Sequence, residues 1–115
     1  MSKKSYLKIL EDILDSINKI LKYIENLTFE DFENNEMVID AVIRNLEILG
    51  EASKILPDNI KEKYSYIPWR KIITTRNKVI HEYGTVNLET VWEIANDELP
   101  LLKEQISMIY KKNEN

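Results

Sequence analysis

Apolar positions recur along this chain with the period of a helix almost from end to end. Tyr6, Leu10, Ile13, Ile17, Ile20, Ile24 and Leu27 follow one another at spacings of three and four, which gathers them on one helical face. Leu7, Leu14 and Leu21 widen that stripe, giving it the breadth to serve a bundle core and a subunit interface together. One long helix is therefore predicted from about Lys3 to Leu27. Thr28-Phe29-Glu30-Asp31 carries a capping hydroxyl followed by acidic residues suited to a first turn, so a short helix ending near Asn34-Asn35 comes next. Val38, Val42, Asn45 or Leu46, Leu49, Ala52 and Leu56 mark the buried side of a second long helix that Pro57-Asp58-Asn59 ends. Residues 60–66 read as a short basic connection with room for a helical turn.

Pro68 sits where a helix can start, because the first turn has no use for the amide hydrogen that proline lacks. Trp69, Ile72, Ile73, Arg76, Val79, Ile80 and Tyr83 then keep helical spacing, and Gly84 is placed to follow the C-terminus. In the last helix Asn87 is the N-cap, with Val86 stapled onto Val91 across it. Leu88, Val91, Trp92, Ala95, Leu99, Leu102, Ile106 and Ile109 form its buried stripe. Pro100 should kink this helix, since the Asn96 carbonyl loses its amide partner, and Lys111 to Asn115 should fray. The expected fold is all-α: an up-and-down antiparallel bundle of four main helices plus one or two short ones, in a single domain over 1–115.

Composition narrows the chemistry. With 43% hydrophobic and 31% charged residues in 115, the chain suits one soluble domain with an ordinary core. It has no cysteine and one histidine, which excludes thiolate chemistry and any metal site built from several imidazoles of one chain. No metal and no other cofactor is expected. The N-terminus reads as neither signal peptide nor membrane span, and a reducing cytoplasm is the expected location.

The formal charge of -4 argues against a polyanionic partner until its distribution is considered. Residues 54–78 hold Lys54, Lys61, Lys63, Arg70, Lys71, Arg76 and Lys78 against only Asp58 and Glu62, while both flanks are acidic. This basic segment runs into Arg76-Asn77-Lys78-Val79-Ile80-His81-Glu82-Tyr83, as a site for a polyanion requires. That window combines a guanidinium that forks onto phosphate oxygens, an imidazole that exchanges protons near neutrality and a phenol hydroxyl. At ~100° per residue, Arg76 and Tyr83 stand about 20° apart on a helix and Arg76 and His81 about 140°. Arg76 and His81 therefore meet on one phosphate only if the helix unwinds before His81 or if two chains share the site. Asn77 and His81, one turn apart, share a face.

The window resembles the motif of the HEPN superfamily, and its R-x4-H-x-Y form resembles the HepT branch. The likeness continues in Arg44-Asn45-Leu46-Glu47-Ile48-Leu49-Gly50-Glu51-Ala52, in Ile67-Pro68-Trp69-Arg70, and in Val91-Trp92 with Asp97-Glu98-Leu99-Pro100. This resemblance implies a dimerising HEPN-like bundle that acts as a metal-independent endoribonuclease, the toxin of a toxin-antitoxin pair. The implied antitoxin is a small nucleotidyltransferase of the MntA type, with Tyr83 as the acceptor of the AMP that it transfers; homodimers then assemble with it into a larger hetero-oligomer.

Arg76, His81 and Asn77 are the expected catalytic residues. Lys54, Lys61, Lys63, Arg70, Lys71 and Lys78 are the expected RNA-binding cations, and Arg44, Glu47, Gly50 and Glu51 the structural motif. Glu47 or Glu51 should pair Arg44 or Arg76 across the helix interface, and Gly50 should mark a close helix approach. Trp69 and Trp92 suit the core, whereas Tyr64 and Tyr66 are candidates for stacking on bases. Two alternatives stand beside the ribonuclease: a non-catalytic HEPN module that binds nucleotide or RNA beside a nucleotidyltransferase, and a helical interaction protein.

Overall fold

The computed structural model describes residues 1–81 and 87–114, with the backbone alone over 76–81. Helix α1 spans Lys3–Tyr23, α2 Phe29–Glu33, α3 Glu36–Ile55, α4 Asp58–Lys63 and α5 Trp69–His81. Helix α6, Leu88–Glu93, runs through a π-helical turn, Ile94–Glu98, into α7, Leu99–Asn113. No strand occurs among the described residues, and the fold is an all-α bundle. None of its described helices is long and apolar enough to cross a membrane.

The stripes anticipated from periodicity form the core. Leu10, Ile13, Ile17 and Ile20 of α1 are fully buried against Val42, Leu46 and Leu49 of α3 and against Ala95, Leu102 and Ile106 of the last helical run. Helix α3 lies between α1 and α5, and α1 lies between α3 and α7. Gly50 is buried in that central helix, where the missing side chain suits close helix packing. Trp69 is buried and its Nε1 donates to the Tyr64 carbonyl at 3.1 Å; Trp92 is half-buried against Phe29 and Phe32. Leu7, Leu14 and Leu21 stay half-buried beside the core.

Several boundaries differ from the reading of the sequence. Helix α1 stops at Tyr23, four residues early, because Asn26 takes a positive φ of 65°, which Asn tolerates better than most residues and which ends a right-handed helix. Ile24 still packs into the core beyond that end. The connection after α3 contains the six-residue helix α4, with Pro57 at its N-cap. At Pro100 the helix accommodates the missing donor through the π-helical turn, in which the Leu99 amide donates to the Ile94 carbonyl five residues back.

The capping expectations hold at two helix starts: Thr28 and Asp31 form a reciprocal capping box, and Asn87 Oδ1 accepts from the amides of Glu89 and Thr90. The Val86 staple and the role of Gly84 lie outside the described residues. The expected fraying is corrected over 111–113, where α7 stays helical. Asn113 Nδ2 donates to the Tyr64 hydroxyl at 2.9 Å and to the Ile109 carbonyl at 2.8 Å, and Asn113 Oδ1 accepts from the Tyr6 hydroxyl at 3.2 Å.

Candidate active site

The candidate site is carried by α5, whose entry is firmly built. Trp69 anchors its first turn in the core, and the Ile72 amide donates to the Pro68 carbonyl at 3.1 Å. From there the backbone is helical through Arg76 and Asn77 to His81. The helix does not unwind before His81, so that escape from the angular problem is removed: the Arg76 and His81 positions stand on opposite flanks of one continuous helix. The Asn77 and His81 positions share a flank, one turn apart. Tyr83 lies outside the described residues, as does the side chain of Lys78.

Neighbouring α3 carries the second part of the motif. Arg44 Nη1 lies 3.6 Å from Glu47 Oε2, a pair within α3, since residues three apart are neighbours on one helix surface; the expected pairing of a carboxylate with Arg76 across the helix interface lies outside the described residues. Asn45 is buried, its Nδ2 donating to the Ala41 carbonyl at 2.9 Å. Arg44, Glu47 and Glu51 border a groove between α1 and α3 together with Asp12, Asp15 and Lys19. Among the described residues no group of three or more acidic or imidazole side chains stands as a metal site.

The expected RNA-binding cations divide between surfaces. Arg70 and Lys61 border a groove between α4 and α5, where Lys61 lies 3.8 Å from Asp58. Lys71, a ~100° step further round α5, borders the opposite cleft and pairs with Glu98. Lys63 lies over the Tyr64 ring, 5.6 Å from its centroid, and Lys54 is exposed near the end of α3. The pair of stacking tyrosines is corrected as well: Tyr64 is buried in the core and engaged by Asn113, leaving Tyr66, 61% exposed, as the accessible ring.

The cleft beside Lys71 had no counterpart in the sequence reading. It encloses about 270 Å³ between α5 and the run from the π-helical turn into α7, with Leu46 and Leu49 of α3 also lining it. The only trace of it in the sequence is Pro100, which marks an irregular helix without saying what lies beside it.

The model of the family described as "Ribonuclease HepT-like" matches residues 13–109. The chain belongs to the HepT-like ribonuclease family. Among proteins similar to this chain, "Putative RNase MJ1216" of Methanocaldococcus jannaschii is 40% identical, covering 100% of this chain and 98% of that protein. "Probable ribonuclease HepT" of Thermococcus cleftensis is 38% identical over 95% of this chain and 99% of its own. "Putative RNase TTE0752" of Caldanaerobacter subterraneus is 40% identical over 90% and 92%. No solved structure matches the chain. For this HepT-like chain, R-x4-H-x-Y and the α3 segment from Arg44 to Ala52 both fall inside the matched span.

Proposed function

We propose that this HepT-like chain is a metal-independent endoribonuclease whose active cleft is shared by two copies. The observation that carries the reading is the continuity of α5: Arg76 and His81 sit five residues apart on a helix that does not break between them, so one copy presents them on different flanks. A two-fold axis beside α5 unites the Arg76 flank of one copy with the His81 flank of the other. The ribonuclease names carried by full-length relatives support the same reading.

RNA brings its own nucleophile, so the protein need supply only a base, a cation and an acid. The His81 imidazole takes the proton of the 2'-hydroxyl as that oxygen attacks the adjacent phosphorus. Arg76 holds the two non-bridging oxygens as negative charge grows on the phosphorane, and Asn77 orients the imidazole or donates to the phosphate. The bond to the 5' oxygen breaks, and that oxygen takes a proton from the second copy's His81 or from water. The products are a 2',3'-cyclic phosphate and a 5'-hydroxyl.

The chain acts as the toxin of a toxin-antitoxin pair, silenced when a partner nucleotidyltransferase transfers AMP to Tyr83. The added phosphate places a bulky anion at the mouth of the cleft and opposes RNA by charge and by occupancy. Purified protein in EDTA is expected to cleave RNA, with His81→Ala slower by at least ~100-fold. Absent cleavage, or equal cleavage by both, overturns the ribonuclease reading. Co-expression with the nucleotidyltransferase is expected to add AMP to Tyr83 and to leave Tyr83→Phe unmodified by mass spectrometry; modification of the variant to the same extent removes the tyrosine from its role.

A further inference from the structure

Three seams of the bundle are packed tightly, α1 on α3, α3 on α5 and α1 on α7. The fourth, between α5 and the run from the π-helical turn into α7, stays open as the cleft. Leu46, Leu49, Ile72 and Leu102 make its apolar lining. Tyr66 and Leu101 are 61% and 58% exposed at its edge. The Tyr66 ring meets buried Tyr64 edge-on, with centroids 6.3 Å apart, so one side of it is braced and another is open for stacking. At about 270 Å³ the space is close to the lower end of small-molecule pockets, ~300–1,000 Å³, and suits one flat ring. A π-helical turn in its wall is a feature that recurs at functional sites.

The charges of the cleft define what that ring carries. Lys71 and Glu98 satisfy each other, which leaves the Asp97 carboxylate, one oxygen of which accepts from Asn96 Nδ2 at 2.9 Å. An apolar slot with a carboxylate on its wall disfavours phosphate and favours a neutral ring that donates hydrogen bonds. Adenine, cytosine and guanine each carry an exocyclic amino donor. Uracil instead places carbonyl oxygens on both sides of its single imide donor, and these face a carboxylate unfavourably.

We propose that the cleft is a nucleobase pocket that takes amino-bearing bases in preference to uracil, with the base stacked on Tyr66 and its amino group donating to Asp97. Thr75, on the cleft's wall, lies six residues before His81, roughly 9 Å along the helix at ~1.5 Å per residue. A base held here therefore belongs to a nucleotide near the scissile phosphate. Only this source of the base rests on the ribonuclease reading; a free nucleoside offers the same chemistry.

Isotope-labelled protein titrated separately with adenosine, cytidine and uridine tests the pocket without any turnover. Adenosine and cytidine are expected to shift the amides of Lys71, Thr75, Ile94 and Leu102, with uridine weaker by about tenfold. Asp97→Asn should erase that difference and Tyr66→Ala should weaken all three. Equal binding of uridine, shifts centred elsewhere, or an unaltered preference in Asp97→Asn overturns the pocket. Cleavage of short RNAs that differ in one base separates the sources: a preference lost in Asp97→Asn identifies an RNA base, and selective nucleoside binding without it identifies a free nucleoside. RNA cleavage by a protein that binds no nucleoside overturns the pocket and leaves the ribonuclease standing. Loss of a dimer in Leu101→Lys, seen by sedimentation, makes the cleft a contact between copies and also overturns it.

Discussion

At the scale of single residues, Asn113 carries more of the fold than its place near the chain end suggests. It joins Tyr64, Tyr6 and the Ile109 carbonyl through one side-chain amide. Removing that amide strands the Tyr64 hydroxyl in a part-buried site, so Asn113→Ala is expected to cost about 1–2 kcal/mol, read as a lower denaturation midpoint with unchanged slope. Such partnerships were not legible in the sequence, because an Asn in a charged tail announces no partner more than a hundred residues away. The same holds for Tyr64 and Tyr66. Two tyrosines among lysines look equivalent by composition, and only packing decides that one ring is core and the other a surface platform.

At the scale of elements, the apolar period was a reliable guide wherever a face was buried. The α1 and α3 stripes, the Thr28 capping box and the Asn87 cap occur where the local chemistry puts them. Ends and irregularities were less legible. Asn26 stops α1 by adopting a left-handed conformation, and Pro100 follows a π-helical turn that no local signal in the sequence announced. The basic segment illustrates a related limit: a run of cations is contiguous in sequence, yet a helix turns adjacent residues ~100° apart, which sends Arg70 to one groove and Lys71 to another. The α5 positions of the R-x4-H motif were legible, and the unbroken helix reduces two ways of uniting them to one.

At the scale of the whole molecule, that unbroken helix makes the proposed cleft divisible between subunits. Arg76→Ala and His81→Ala are each expected to be inactive alone. Mixed and re-equilibrated, half of the dimers are mixed, and in each of these one of two sites keeps both Arg76 and His81. Recovery of up to about a quarter of wild-type RNA cleavage is therefore expected if the two residues come from different copies, the full quarter where water and not the second His81 protonates the leaving oxygen. No recovery on mixing, with exchange confirmed by sedimentation or native mass spectrometry, places Arg and His in the same chain.

The bond between Tyr6 and Asn113 also bears on how the chain can be rewired. It holds the start of the first helix beside the end of the last, so a short flexible linker spans these two helix ends without pulling on the core. Asn34 and Asn35 are exposed between α2 and α3, and a cut between them leaves the Asn35 side chain still accepting from the Val38 amide. A circular permutant of this domain, joined at those helix ends and opened at that turn, is expected to keep the helix content and cooperative unfolding of the unpermuted domain by circular dichroism; a non-cooperative melt would mean that the order of synthesis, and not only the final packing, specifies this bundle.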